Sequence, residues 1–413
     1  MLDLTSKFQR QLLKKWRPFQ ATDFQSLMCP CFTFCHILGI FPYTINASTF
    51  KMSKPRYILS TVVICMIGVF EIMLLHSWLS GKMIDFEDVP KALEVHFYYI
   101  LSCFITIVTY ILSGPRMRLL QTVMDVSSKL SSNTYKKLSQ LIHAKDISGF
   151  FFFLAIMMIC YSKLNTGPLL KLYTMYIGLV VFQMDMLYMN CVYILKACFK
   201  RLNDKIANLR KLVVKDVSHL FSRIYHHEQR NPFLLIELKA LKKQHLMISD
   251  TVQMLNLVFS LQLLATMIIT FGEITFGLYF YISQWPIFSN ELPKDLWYSY
   301  FMMFVIYQFF KMLLMVWACE TGKNQALEIG TTIHLLFNSI SDKEVKHELK
   351  LFSLQILHRE NIFSAKGLNV DATLVAAIVG NVTTYVLILM QFLLLSNSCD
   401  GNPVSTHNIT QIN

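Results

Sequence analysis

The chain has 413 residues, of which 54% are hydrophobic and only 15% charged, against about 25% charged residues in a soluble domain. With a mean hydropathy of +0.44, this composition excludes an ordinary water-soluble enzyme. The 38 Lys and Arg against 26 Asp and Glu leave a net charge of +12. In a membrane protein such an excess is read first as a topology signal, since basic residues gather on the cytosolic side.

The first twenty residues, MLDLTSKFQRQLLKKWRPFQ, are basic and lack the apolar core and small-residue cleavage site of a signal peptide, so the N-terminus is expected to stay in the cytosol. Residues 27–46 are apolar but interrupted by Pro30 and Pro42, and a crossing there strands Lys51, Lys54 and Arg56 on the wrong side. They read as a re-entrant or interfacial segment. Apolar stretches of about 20 residues, the length that crosses a ~30 Å hydrocarbon core, then occur near 58–79, 95–113, 147–163, 170–196, 252–283, 297–319 and 371–395. The expected fold is an all-α membrane protein with seven transmembrane helices.

With the N-terminus inside, 32 of the 38 basic residues fall in the four cytosolic segments. The C-terminus is then extracellular, the reverse of a rhodopsin-type receptor, and nucleic-acid binding becomes a remote reading. Segment 196–251 carries 12 Lys and Arg, with Ile206, Leu209, Val213, Val217 and Leu220 at helical spacing. It reads as cytosolic continuations of spans four and five, broken at Pro232, and either lies beneath an anionic leaflet or packs with other subunits.

Ionisable residues within spans usually mark a pathway, a ligand or a partner charge. Glu71, Asp185, Glu273 and Lys311 are such positions. Asp185 and Lys311 lie at matched depth, which makes them a candidate ion pair; the alternative is that each snorkels or faces a crevice alone. Tyr300, Phe304, Tyr307 and Lys311 share one helix face, as do Glu273, Phe276 and Phe280, and His96, Tyr99 and Cys103. Aromatic faces with a few polar groups suit a small-molecule pocket, with Tyr99, Glu273, Phe276, Tyr300, Phe304 and Tyr307 as its candidates. Interfacial aromatic belts are the competing reading.

Catalysis has no visible constellation. Cys29, Cys31 and Cys35 form a C-x-C-x3-C cluster without a matching His or Cys group, and no H-E-x2-H, P-loop or G-x-S-x-G motif is present. Neither a metal nor a cofactor is expected. In the last span, Asn381, Thr384, Ile388, Gln391 and Leu395 recur on one face. Such a stripe lines a pore if several subunits meet on an axis, or else makes ordinary interhelical hydrogen bonds.

The segment TYVLILMQF at 384–392 resembles the T-Y, five-apolar, Q-F signature that ends insect gustatory receptors. FSLQILHR at 352–359 and FSAKGL at 363–368 resemble the preceding cytosolic helix of that family and its link to the last span, and LGIFP at 38–42 its N-terminal re-entrant segment. The C-terminal match covers about residues 345–395. The resemblance implies a tetrameric ligand-gated cation channel in the plasma membrane of sensory neurons, related to insect odorant receptors. Thr384, Tyr385, Gln391 and Phe392 match its signature; Gln391 and Phe392 match its pore constriction and gate, with Tyr385 as a supporting aromatic, while Thr384, Ile388 and Leu395 share the candidate pore face. Met390 stands where Leu or Ile is common, and Asn369 where many members carry an aromatic.

The implied organisation is a cytosolic N-terminus with re-entrant segment (1–57), helices one to four (58–195), an anchor segment (196–251), helices five and six (252–319), a second cytosolic helical segment (320–370), the pore helix (371–395) and an extracellular tail (396–413). Asn408 opens the one sequon placed outside. The expected partners are a small-molecule tastant, identical or related subunits and the lipid bilayer. An odorant-receptor-type subunit needing a co-receptor and a seven-span membrane enzyme are the alternatives.

Overall fold

The computed structural model describes residues 19–46, 49–79, 89–163, 167–220, 232–283 and 295–399. These form an all-α bundle with two small hairpins. Helix α1 spans Phe24–Ile37, followed by strands β1 (Tyr43–Asn46) and β2 (Thr49–Met52). Helices α2 (Lys54–Leu79), α3 (Val89–Ile111), α4 (Ser113–Ser127), α5 (Ser132–Lys163), α6 (Pro168–Leu220), α7 (Pro232–Ser283), α8 (Asp295–Asn338) and α9 (Lys343–His358) come next. Strands β3 (Ser364–Ala365) and β4 (Leu368–Asn369) precede the last helix, α10 (Ala372–Cys399). Seven of the described helices, α2, α3, α5, α6, α7, α8 and α10, are long and apolar enough to cross a membrane.

Helix α1 starts with a capping box: the Ser26 amide donates to Asp23 Oδ1 at 2.8 Å, and the Asp23 amide donates to Ser26 Oγ at 3.1 Å. It ends because Gly39, at φ 71°, takes a left-handed conformation. The Ile40 amide then reaches back to the Cys35 carbonyl, and the Gly39 amide to that of His36. The chain returns as the antiparallel β1–β2 hairpin, tied to α4 where the Phe50 amide donates to Gln121 Oε1 at 2.9 Å. Arg56 clamps this turn, donating to the Tyr43 carbonyl at 2.7 Å beside the His36 ring. Burial and the adjacent Arg56 charge push the His36 pKa down to about 3, so the ring is neutral at neutral pH.

In lipid a helix needs no polar outer face, so burial rather than amphipathicity identifies the centre of the bundle. The apolar window of α6 is 94% buried against 17% for α2. Helix α6 packs chiefly on α8, while α7 holds α3, α8 and α10 around it. With 53, 52 and 44 residues, α6, α7 and α8 reach roughly 65–80 Å at ~1.5 Å per residue. They therefore extend well beyond a ~30 Å core.

The connection into α10 is built by side chains of α7 and α8. Asn256 on α7 donates to the Ile362 carbonyl at 2.7 Å and accepts from the Ser364 amide at 3.2 Å. Phe363 is buried against Gly322 of α8. Lys366 and Gly367, both with positive φ, turn β3 into β4. Asp371 then caps α10 through the Thr373 amide at 3.1 Å. The hydroxyl and amide of Thr373 hold the Asp371 carboxyl below its ordinary range.

Candidate functional site

Helix α10 is held by one side only. Leu374, Ile378, Val382 and Val386 are buried, whereas Thr384, Ile388, Gln391, Phe392 and Leu395 are all exposed on the single chain. Tyr385 is also exposed but lies edge-on to Phe271 of α7, with ring centroids 5.7 Å apart. The helix thus presents an uncovered face mixing an amide, a hydroxyl and apolar side chains.

A second set of groups lies inside the bundle where α6, α7 and α8 meet. Asp185 on α6 is fully buried; Lys311 Nζ on α8 stands 3.4 Å from its Oδ2, and Thr266 Oγ1 on α7 donates to its Oδ1 at 3.0 Å. The ammonium also faces the Tyr307 ring, 6.0 Å from the centroid. Glu273 on α7 accepts a hydrogen bond from Gln308 Nε2 on α8. All of these side chains except Tyr307 are polar, and each is nine-tenths or more buried, so their charges depend on one another instead of on water. Two carboxyl groups, one ammonium, an amide and a hydroxyl therefore form a polar seam through an otherwise apolar core.

The aromatic candidates separate into two groups. Tyr307 packs beside Phe152 and Phe153 of α5, with centroids 5.8 and 6.2 Å away, and Phe304 is partly buried against the same core. Phe276 is buried on α7. Tyr99 belongs elsewhere: with Ile67, Cys103, Tyr173 and Ile177 it forms a cluster between α2, α3 and α6, where its hydroxyl meets Thr174 Oγ1 at 2.8 Å. In that cluster Tyr173 donates to Glu71 at 2.6 Å. The Tyr300 side chain and Asn408 lie outside the described residues. Reading only charged residues within spans misses Thr266, Gln308 and Tyr173, the neutral partners of the three carboxylates. Their signal is weak, since Thr, Gln and Tyr in spans are common.

Among the described residues, no group of three or more His, Cys, Asp or Glu side chains is placed to hold a metal ion. Cys29, Cys31 and Cys35 are buried along α1, and Gln183 Nε2 of α6 donates to the Cys31 carbonyl at 3.2 Å. Cys31 and Cys35 belong to the packed core.

Comparison with known proteins gives a consistent picture. Residues 28–395 match the family described as 7tm chemosensory receptor. The chain is 32% identical over 153 residues to the Drosophila melanogaster protein designated gustatory receptor 28b, covering 36% of this chain and 32% of that one. It is 28% identical over 179 residues to gustatory receptor 28a of the same organism, covering 42% and 40%. The matches therefore span about a third to two fifths of the length of these curated relatives. In fold, the chain is similar to the olfactory receptor OR5 from Machilis hrabei, with a TM-score of 0.67 at 12% identity, covering 88% of this chain and 97% of that one. The same receptor in complex with eugenol gives a TM-score of 0.66 at 14% identity, covering 89% and 98%.

Proposed function

The chain belongs to the 7tm chemosensory receptor family, and from that premise we propose that it is a subunit of a ligand-gated, non-selective cation channel serving taste in the plasma membrane of sensory neurons. The observation that carries this reading is the uncovered face of α10, with Thr384, Ile388, Gln391 and Leu395 exposed. Four copies of that face around an axis make a ring of neutral amides able to pass partly hydrated cations, and apolar rings able to close by dewetting. The resemblance of residues 384–392 to the gustatory signature supports Gln391 and Phe392 as the constriction and gate.

The charge distribution supports an orientation with the N-terminus in the cytosol and the C-terminus outside, since 32 of 38 basic residues then lie inside. In this reading residues 196–251 and 320–370 build the cytosolic anchor, and Asn408 is open to glycosylation. The ligand enters among the outer halves of the helices that carry Tyr99, Glu273, Phe276, Tyr300, Phe304 and Tyr307. Lys311 is engaged with Asp185 and Glu273 with Gln308, so ligand recognition rests on the rings and on hydrogen bonds rather than on a free charge.

A second reading is favoured by the solved structures of like fold, both of an olfactory receptor. Here the chain is an odorant-receptor-type subunit that conducts only with a co-receptor. Recording ligand-evoked currents from cells expressing this chain alone, and then with a co-receptor, separates the two. For either, Gln391→Ala and Phe392→Ala are expected to change relative cation permeability or resting leak. Unchanged permeation and leak in both variants at normal surface levels overturns the pore assignment.

A further inference from the structure

Where α1 ends against α2, α3 and α6, a narrow cleft is lined by Gly39, Ser60, Thr106, Thr109, Ser113 and Tyr176, among others. It lies apart from the polar seam around Asp185 and from the uncovered face of α10. Only about 10 Å³ of it has room for the centre of a water-sized sphere. An organic ligand needs a pocket of roughly 300–1,000 Å³, whereas ~10–15 Å³ of such room holds one water.

The chemistry of the lining matches that size. Thr109 Oγ1 is buried and has no hydrogen-bond partner among the described residues. Thr106 spends its proton on the Ser102 carbonyl at 2.9 Å, and Tyr176 spends its own on the Leu38 carbonyl at 2.7 Å. Both oxygens keep lone pairs. Ser60 on α2 and Ser113 on α4 add two more hydroxyls from different helices. An apolar filler leaves these groups unsatisfied, which is costly within a membrane bundle. A molecule with two donors and two acceptors satisfies them.

We propose that this cleft is a structural hydration site: one water, bonded to Thr109 and to hydroxyls of the neighbouring helices, fastens the end of α1 to α2 and α3. The site joins the turn at Gly39, whose adjacent residue Leu38 is already held by Tyr176, to the paired spans beside it.

The sign of a stability change tests this. In purified full-length protein in lipid nanodiscs, Thr109→Val removes the hydroxyl at constant shape and is expected to lower Tm by about 2 °C. Thr109→Ser keeps the hydroxyl and should stay near the parent. Adding Ser60→Ala to Thr109→Val should cost less than the sum of the two single changes, because both contact the same water. If Thr109→Val leaves Tm unchanged or raises it, the hydroxyl is dry and the proposal fails. Should the variants not fold, cryo-EM of the parent protein decides. Compact density within hydrogen-bond reach of Thr109 Oγ1 and a second cleft hydroxyl supports the site; elongated lipid density, or none where other buried waters are visible, overturns it.

Discussion

Asp185 and Lys311 illustrate how a few side chains inside the bundle acquire meaning from one another. At 3.4 Å their attraction is about 5 kcal/mol at an effective dielectric of ~20, but burying both ions costs several kcal/mol each before Thr266 and the Tyr307 ring contribute. The pair is therefore close to break-even, while either charge alone is not tolerated. Asp185→Asn or Lys311→Met is expected to destabilise the protein by about 3–5 kcal/mol, read as lost surface expression and a lower Tm. The double variant should recover most of that loss, and exchanging the two charges should recover part. Single variants as stable as the parent would refute the coupling. Matched depth in spans four and six was enough to nominate these two residues from sequence. The partners Thr266 and Gln308 were not legible, because which neutral side chain faces a charge depends on how each helix is rotated about its own axis.

At the scale of elements, the connection into α10 shows how one helix position sets another element's path. A Cβ on Gly322 comes within 2.8 Å of the Phe363 ring, and that ring is itself fully buried, so α8 leaves space only for glycine there. Gly322→Ala is expected to cost about 1–3 kcal/mol through overpacking and, under the proposed channel function, to shift the half-activating ligand concentration. Gly330 lies on the same helix, and a Cβ there meets only Ile356 at 3.8 Å. Gly330→Ala should leave activation unchanged and match or slightly exceed parental stability. Equal behaviour of the two variants would remove any special role for the Phe363 contact. The long spans were legible as elements because each must satisfy its backbone internally in lipid, so a local sum of hydropathy finds them. The β1–β2 hairpin was not, since four-residue strands against α4 carry no apolar run; its placement rests on contacts such as Phe50 to Gln121.

For the whole molecule, the distribution of uncovered apolar surface is the informative quantity. Lipid accounts for the outward residues of α2, such as Ile58, Met66 and Ile72. It does not account for α9, which is not among the seven apolar spans yet exposes Leu351, Leu354 and Leu357 at 40%, 50% and 74%. Together with the open face of α10, this surface suits subunit contacts. The mass of the purified complex in nanodiscs, corrected for lipid, is expected to be four times the 48.0 kDa of one chain. A single-chain mass in active preparations would exclude a pore built on an axis between copies.

Hydropathy and charge are sums over neighbouring residues, and they were sufficient to mark the apolar spans and the basic segments between them. The family resemblance was legible separately, in the order of particular residues such as Thr384, Tyr385, Gln391 and Phe392. The central position of α6, the meeting of Asp185 with Lys311 and Thr266, the separation of Tyr99 from Tyr307 and the exposed side of α10 were decided only by tertiary packing. Each depends on the rotation and depth of one helix against another, quantities that no local sum of hydropathy or charge contains.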